Sequence, residues 1–165
     1  MYADDATLFI TYDDPFEAAE IIQHNLDLAT EWANKWLVKF NPTKTESMVV
    51  SRKKDKIIPI VQIENIDIKQ VEQHKHLGVT LQSNGKWSYH IEEIKTKAQK
   101  RIDVMRSYMH KLDRSSLEQL YLTYIRPILE YSDTVWDNCT YKEKDEIEAI
   151  QLAAARVITG AKKGT

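Results

Sequence analysis

The chain has 165 residues, which suits one domain or two small subdomains, and 42% of them are hydrophobic, enough for a buried core. Its single cysteine, Cys139, excludes a disulfide framework and a cysteine-based zinc site and predicts a reducing, intracellular compartment, and no apolar run reaches the roughly 18 residues that span a bilayer. The net charge of −2 hides a gradient: residues 1–50 hold nine acidic and three basic residues, a net of −6, whereas residues 86–126 hold nine Lys/Arg and five acidic residues, a net of +4. This gradient suits a metal site beside a phosphate-binding surface, although an uneven distribution without function explains it equally well.

Two adjacent carboxylates, Asp4 and Asp5, follow an aromatic residue, Tyr2, and precede a strand-like segment at 6–12. A tight turn between two strands would place both carboxylates at a hairpin tip, where they could bind Mg²⁺, a cation that prefers oxygen ligands. Pairs of such ions support in-line phosphoryl transfer. Taken alone, the same residues are more typical of a solvated acidic turn than of a metal site, so the remaining sequence has to decide.

The next segments predict an α+β arrangement for residues 1–82. A long amphipathic helix is predicted to begin with Asp14 as its cap and Pro15 as its first residue, and to end near Phe40, because Asn41-Pro42 disfavours continuation. Strands are predicted at 46–51, 58–64, 66–71 and 76–81, the middle two joined in a hairpin through Asn65. We expect a short antiparallel sheet, one long helix and a hairpin.

Residues 83–165 predict a three-helix bundle. The first helix, over 88–111, has an apolar stripe and an opposite face that is basic. Ser115-x-x-Glu118 and Thr140-x-x-Glu143 are capping boxes that predict the starts of the second and third helices, Pro127 is predicted to kink or end the second, and Gly160 to end the third. The apolar stripe comprises Ile91, Ile94, Ala98, Ile102, Met105 and Met109, and the basic face comprises Lys95, Lys97, Lys100, Arg101 and Arg106.

Three tyrosines, Tyr121, Tyr124 and Tyr131, accompany the second predicted helix. Tyrosines on a basic surface can stack on nucleic-acid bases. Their near-helical spacing instead favours a place in the core of the bundle, and this is the interpretation that we predict.

Four segments of the chain, in this order, carry a family pattern. They are Tyr2-Ala3-Asp4-Asp5, the run from Phe40 to Glu46 (Phe-Asn-Pro-Thr-Lys-Thr-Glu), His76-Leu77-Gly78-Val79, and the helical region from Trp87 to Gly160. Together they resemble the reverse transcriptases of non-LTR (LINE-like) retrotransposons, in the part that runs from the C-terminal palm to the thumb. The resemblance covers nearly the whole chain, and it implies a palm segment at 1–82 and a thumb-like domain at 83–165.

The resemblance also implies roles for individual residues. Asp4 and Asp5 match catalytic, metal-binding carboxylates that use Mg²⁺ or Mn²⁺ in the full-length enzyme, Tyr2 would lie under the primer end, and Lys44 would stabilise the leaving pyrophosphate. Leu77 and Gly78 match the primer grip, where a glycine permits close approach, although a glycine bulge in a strand is an alternative. The residues expected to contact template–primer phosphates are Lys95, Lys97, Lys100 and Arg101, whose alternative role is a solubilising helix face.

The function implied is RNA-directed DNA synthesis by two-metal nucleotidyl transfer, with an RNA template, a DNA primer and deoxynucleoside triphosphates as partners. The family's palm requires a further carboxylate on an upstream strand, and its fingers close over the nucleotide. This sequence contains neither, so we expect the chain alone to be inactive. Two other hypotheses remain: a non-catalytic nucleic-acid-binding module and a helical protein-interaction domain.

Overall fold

The computed structural model describes residues 5–53 and 56–161, and these divide into two compact units. The first unit contains the described part of 1–74 together with Ser83–Gly85, and the second contains Lys75–Gln82 and the described part of 86–165. The division lies near the predicted boundary between residues 82 and 83, but Lys75–Gln82 belong with the helical unit. The mixed helix and strand content agrees with the predicted α+β class, while palm and thumb remain predictions.

The first unit is built on helix α1 (Pro15–Lys35), which begins as predicted. The Oδ1 atom of Asp14 accepts a hydrogen bond from the backbone N–H of Phe16 at 2.8 Å, and Pro15 occupies the first turn, where its missing N–H is not needed. The helix ends at Lys35, so the predicted end near Phe40 was wrong. Leu37 adopts a left-handed conformation (φ 55°), and the N–H of Val38 bonds back to the carbonyl of Ala33 at 2.9 Å.

Replacing Leu37 by glycine is expected to stabilise the first unit by about 1 kcal/mol, because a left-handed conformation strains any residue with a Cβ but not glycine. The Leu37 side chain is 93% exposed, so little packing is lost. The free energy of unfolding, measured by urea denaturation, should rise in Leu37→Gly and fall in the control Glu31→Gly, which places glycine inside the helix at an exposed position. No gain in Leu37→Gly would contradict this account of the helix end.

The strands of the first unit are short. β2 (Gln62–Ile63) and β3 (Ile66–Asp67) are antiparallel and are joined by Glu64 and Asn65, both with positive φ (51° and 63°), so the predicted hairpin through Asn65 is confirmed. β1 (Glu46–Ser47) and β4 (Lys69–Gln70) pair in parallel, so the predicted antiparallel sheet is wrong for this pair. Val61, Ile63 and Ile68 form a small core that packs on α1 through Ile22 and Leu26.

The second unit combines one hairpin with a helical bundle. Its elements are β5 (Gln73–His76, which begins in the first unit), β6 (Val79–Gln82), α2 (Ser88–Ser107), α3 (Arg114–Leu120), a π-helical turn (Tyr121–Ile125), α4 (Arg126–Glu130), α5 (Asp133–Trp136) and α6 (Tyr141–Thr159). The π-helical turn lies just before Pro127, which has no backbone N–H to donate the usual helical hydrogen bond. The second predicted helix is therefore interrupted.

Capping predictions in the second unit were right once and wrong once. α6 begins with the predicted capping box, in which Thr140 and Glu143 bond to each other's backbone N–H, and it ends at Gly160 in a left-handed conformation (φ 69°). α3 begins two residues earlier than Ser115 predicts, because Asp113 accepts a hydrogen bond from the backbone N–H of Ser116 at 3.0 Å. A carboxylate two positions upstream replaces the predicted serine cap.

The core of the second unit is the predicted apolar stripe of α2 together with residues from α3 to α6. Ile91, Ile94, Ala98, Ile102 and Met105 are all buried, and Met109 packs at the edge. The partners of this stripe are Leu117, Ile125, Leu129, Trp136, Cys139, Ile147, Ala154 and Val157. No helix in residues 5–53 and 56–161 is long and apolar enough to cross a membrane.

Candidate nucleic-acid interface

The predicted catalytic residues are only partly within the described structure. Tyr2 and Asp4 lie outside the described residues, Asp5 is exposed, and Lys44 is exposed in a turn in which Asn41 Oδ1 accepts from the N–H of Thr43 at 3.0 Å. Aspartate oxygens suit Mg²⁺ chemically. The described residues, however, hold no group of three or more His, Cys, Asp or Glu that could bind a metal ion. The metal site therefore stays a prediction from the sequence.

The predicted primer-grip segment forms the tip of the β5–β6 hairpin. Leu77 (φ 46°) and Gly78 (φ 83°) make a two-residue turn with both φ values positive, so Gly78 lies in a turn and not in a strand bulge. Tyr131 lies against this turn. Its hydroxyl donates a hydrogen bond to the carbonyl of Leu77 at 2.7 Å, and a Cβ added at Gly78 would come within 3.2 Å of its Cε1 atom. The close approach here is therefore made by an aromatic ring of the protein itself.

The hairpin is tied to α2 through Glu93. The carboxylate of Glu93 accepts from Thr80 Oγ1 at 2.5 Å and from Lys75 Nζ at 3.1 Å, so both hairpin strands bind one side chain. The hydrogen bond from Thr80, followed by the bond to Lys75, lowers the pKa of Glu93, which stays ionised at neutral pH.

The hairpin also caps α2. Trp87, at the helix start, provides no side-chain cap. Instead Gln82 Oε1, at the end of β6, accepts from the backbone N–H of Tyr89 at 3.0 Å and from Ser88 Oγ at 3.2 Å. A helix needs partners for its first N–H groups, so the last residue of the hairpin stabilises the first turn of the helix.

His90 is a buried histidine that was not among the residues predicted from the sequence. It is 1% exposed, its Nδ1 accepts from the N–H of Thr80 at 3.3 Å, and its ring lies between Trp87 and Trp136, with centroids 6.4 and 6.2 Å away. Burial lowers its pKa, opposed by Glu93, so the ring is neutral with its proton on Nε2, which has no hydrogen-bond partner among the described residues. The sequence did contain a signal for the burial of His90, since it lies four residues before Ile94 and therefore on the face of α2 that carries the apolar stripe.

The lowered pKa of His90 predicts acid sensitivity. The unfolded chain binds a proton on His90 more tightly than the folded chain does. The free energy of unfolding should therefore have its full value above a pH of about 6.5, and it should fall as the pH drops toward the pKa of His90 in the folded state. The loss is at most about 1.4 kcal/mol per pH unit for one proton. Urea denaturation between pH 7.5 and 5.5 should show a shallower dependence in His90→Gln and an unchanged one in His110→Gln, which alters an exposed histidine. A His90→Gln variant with the wild-type dependence would contradict this assignment.

The basic face of α2 begins beside the hairpin. Residues four apart lie on one face of a helix, so Glu93, Lys97 and Arg101 form a row that runs away from the hairpin strands. Lys97 contributes to the lowered pKa of Glu93, which supports this proximity. Lys97 and Lys100 are exposed and pair with no residue of the described structure, and we call Lys97, Lys100 and Arg101 the basic row.

Two of the predicted phosphate contacts already have partners within the protein. Lys95 bonds to Glu146 at 2.6 Å and to Glu92 at 2.8 Å, which raises its pKa and links α2 to α6. Arg101 donates to the carbonyl of Tyr124, and its guanidinium lies 3.9 Å above the centre of the Tyr124 ring. Lys95 therefore has a structural role in the bundle, while Arg101 presents a stacked cation at the end of the basic row.

The prediction that the three tyrosines are core residues was wrong for two of them. Tyr121 is half-buried, and burial raises its pKa, but Tyr124 is 47% and Tyr131 is 52% exposed. The π-helical turn inserts an extra residue per turn, and Tyr131 follows the end of α4, so regular helical spacing does not continue through this segment. One exposed ring contacts the basic row and the other contacts the hairpin tip.

Comparison with known proteins finds similarity to the RNA-directed DNA polymerases of mobile elements, which confirms the resemblance to non-LTR retrotransposon enzymes. The chain is 25% identical over 162 residues to the probable RNA-directed DNA polymerase from transposon BS and 28% identical over 162 residues to that from transposon X-element, both of Drosophila melanogaster. It is 26% identical over 163 residues to the polymerase from mobile element jockey of Drosophila funebris. The matches cover 96–97% of this chain but only 18% of each relative. No family model and no solved structure matches.

Proposed function

We propose that this chain is a segment of an RNA-directed DNA polymerase and that its second unit binds an RNA–DNA primer–template. The relatives support the class, because the match extends over 96% of the chain. The binding role is supported by one observation, that the hairpin and the basic row are neighbours on the same helix. The β5–β6 hairpin contacts Glu93 of α2, and the basic row follows Glu93 along that helix.

The chemistry of this surface suits phosphate. Lys97 and Lys100 make no hydrogen bond or salt bridge in the described structure, although Lys97 lies close enough to Glu93 to lower its pKa, so binding a phosphate breaks no internal salt bridge. Each contact of this kind releases condensed counterions from the nucleic acid, which favours binding at low salt. Arg101, whose guanidinium lies over the Tyr124 ring, offers a planar cation that can bind a phosphate by two N–H groups.

Nucleotidyl transfer belongs, in this proposal, to the longer polypeptide. Asp4 and Asp5 would supply oxygen ligands to Mg²⁺ or Mn²⁺, which would stabilise developing charge on phosphate oxygens, and Lys44 would offer a cation to the departing pyrophosphate of a deoxynucleoside triphosphate. Two adjacent aspartates are only part of a two-metal site.

The proposal is tested by measuring the association constant for a fluorescently labelled RNA–DNA primer–template. Fluorescence anisotropy gives this constant at salt concentrations between about 50 and 200 mM. We expect the logarithm of the association constant to fall linearly with the logarithm of the salt concentration. Absence of binding at the lowest salt would contradict the proposal. Binding that salt leaves unchanged would contradict the proposed phosphate contacts of the basic row.

A further inference from the structure

We propose that Tyr131 and Leu77 form a stacking platform for one nucleobase of the bound nucleic acid. The inference rests on the proposed function. It adds a contact with a base to the contacts with phosphates. The two residues lie 54 positions apart in the chain and meet at the hairpin tip.

Two contacts hold the Tyr131 side chain in place, and a third holds its backbone. Its hydroxyl is bonded to the carbonyl of Leu77 at 2.7 Å, its Cε1 edge lies against Gly78, and its backbone carbonyl accepts from Nε1 of the buried Trp136 at 3.1 Å. The side chain is nevertheless 52% exposed, and Leu77 beside it is 40% exposed. An aromatic ring that is both fixed and uncovered loses little conformational entropy when a planar partner stacks on it.

The neighbouring charges favour a nucleic-acid base as that partner. The hairpin that carries Leu77 is bound to Glu93, and Lys97 follows Glu93 by one turn on the same face of α2. A strand whose phosphates bind the basic row therefore has bases within the region of the hairpin. Stacking on tyrosine tolerates any base, because every base has a π-face.

The experiment compares Tyr131→Leu and Tyr131→Phe with the wild type, using a primer–template that has a single-stranded overhang containing 2-aminopurine. Tyr131→Leu should weaken binding about 5- to 150-fold, which corresponds to the loss of one stacked base. Tyr131→Phe keeps the ring and should weaken binding at most about tenfold, the loss of one hydrogen bond. The matched control is Tyr141→Leu, which removes an 88% exposed tyrosine from α6 and should leave binding unchanged.

Two further readouts separate stacking from other roles. Stacking is not ionic, so Tyr131→Leu should leave the slope of binding against salt unchanged, and the wild type should quench 2-aminopurine fluorescence on binding. Absence of quenching by the bound wild type would overturn the inference without any variant. Equal losses in Tyr131→Phe and Tyr131→Leu would also overturn it, because the hydroxyl and not the ring would then matter.

The failure of the proposed function looks different. In that case the wild type itself binds no primer–template at low salt. If the wild type binds with the expected salt dependence but Tyr131→Leu behaves like Tyr141→Leu, only the stacking platform is wrong. Binding of the primer–template that depends on Tyr131 but not on salt would overturn the phosphate contacts of the basic row and leave the stacking platform standing.

Discussion

Replacing Lys97, Lys100 and Arg101 together by alanine is expected to lower affinity for an RNA–DNA primer–template about 30- to 1000-fold at low salt. Three lost phosphate contacts should also reduce the slope of log association constant against log salt by about 2 to 3. The lower affinity and the smaller slope have one cause: a phosphate that has lost its protein cation keeps its condensed counterions, so binding no longer releases them. Anisotropy titrations between about 50 and 200 mM salt measure both quantities.

The matched control removes the same charges elsewhere. Lys111, Arg114 and Lys142 are also two lysines and one arginine, they are exposed, and they lie beyond the end of α2 or on α6. Their triple alanine variant should keep most of the affinity and the slope. Arg101 also bonds to Tyr124, so the double variant Lys97→Ala/Lys100→Ala, which breaks no contact within the described structure, should still reduce the slope by about 2. Equal behaviour of the two triple variants would place the binding surface elsewhere.

Replacing Gly78 by alanine is expected to destabilise the second unit by about 2 to 4 kcal/mol. A Cβ in the left-handed conformation (φ 83°) costs about 1–2 kcal/mol, and contact with the Tyr131 ring at 3.2 Å adds a similar amount. Because the Tyr131 ring must then give way by a few tenths of an ångström, its hydrogen bond to the Leu77 carbonyl should lengthen. Urea denaturation measures the free energy of unfolding. The quenching of 2-aminopurine fluorescence measures the effect on base stacking at the tip of the β5–β6 hairpin.

Gly160 provides the control for this substitution. It has a similar positive φ (69°), but an added Cβ would meet nothing within 4 Å. Gly160→Ala should therefore cost only the conformational part, about 1–2 kcal/mol. The difference between the two variants isolates the contact with Tyr131, and it should disappear in a Tyr131→Ala background. If Gly78→Ala costs no more than Gly160→Ala, the ring does not restrain the turn.

Local signals in the sequence predicted local structure well. Thr140 and Glu143 form their capping box within one helical turn, and the α2 stripe is buried because its spacing matches one face of a helix. The hairpin through Asn65 needed only a two-residue turn. Each of these features depends on residues a few positions apart, which a single sequence displays directly.

Features that depend on distant residues were not predicted. The parallel pairing of Glu46 with Lys69 joins segments 23 positions apart, and the end of α1 depends on a left-handed leucine that no propensity favours. The π-helical turn before Pro127 disrupted the spacing on which the placement of Tyr124 and Tyr131 relied. In the candidate site, the sequence marked Leu77, Gly78 and the basic row, but the contacts to Glu93, His90 and Tyr131 arise only when the hairpin folds against the helices.

The dependence of α2 on Gln82 bears on how this protein should be divided for expression. A recombinant piece that begins at residue 83 would lack the side chain that accepts from Tyr89 and Ser88, and also the hairpin that holds Glu93. A piece that begins at Gln73 would retain both. A piece that keeps the whole β5–β6 hairpin with the helices therefore starts at Gln73, ten residues before the change from strands to helices, and libraries of truncations should bracket Gln73 and not Ser83.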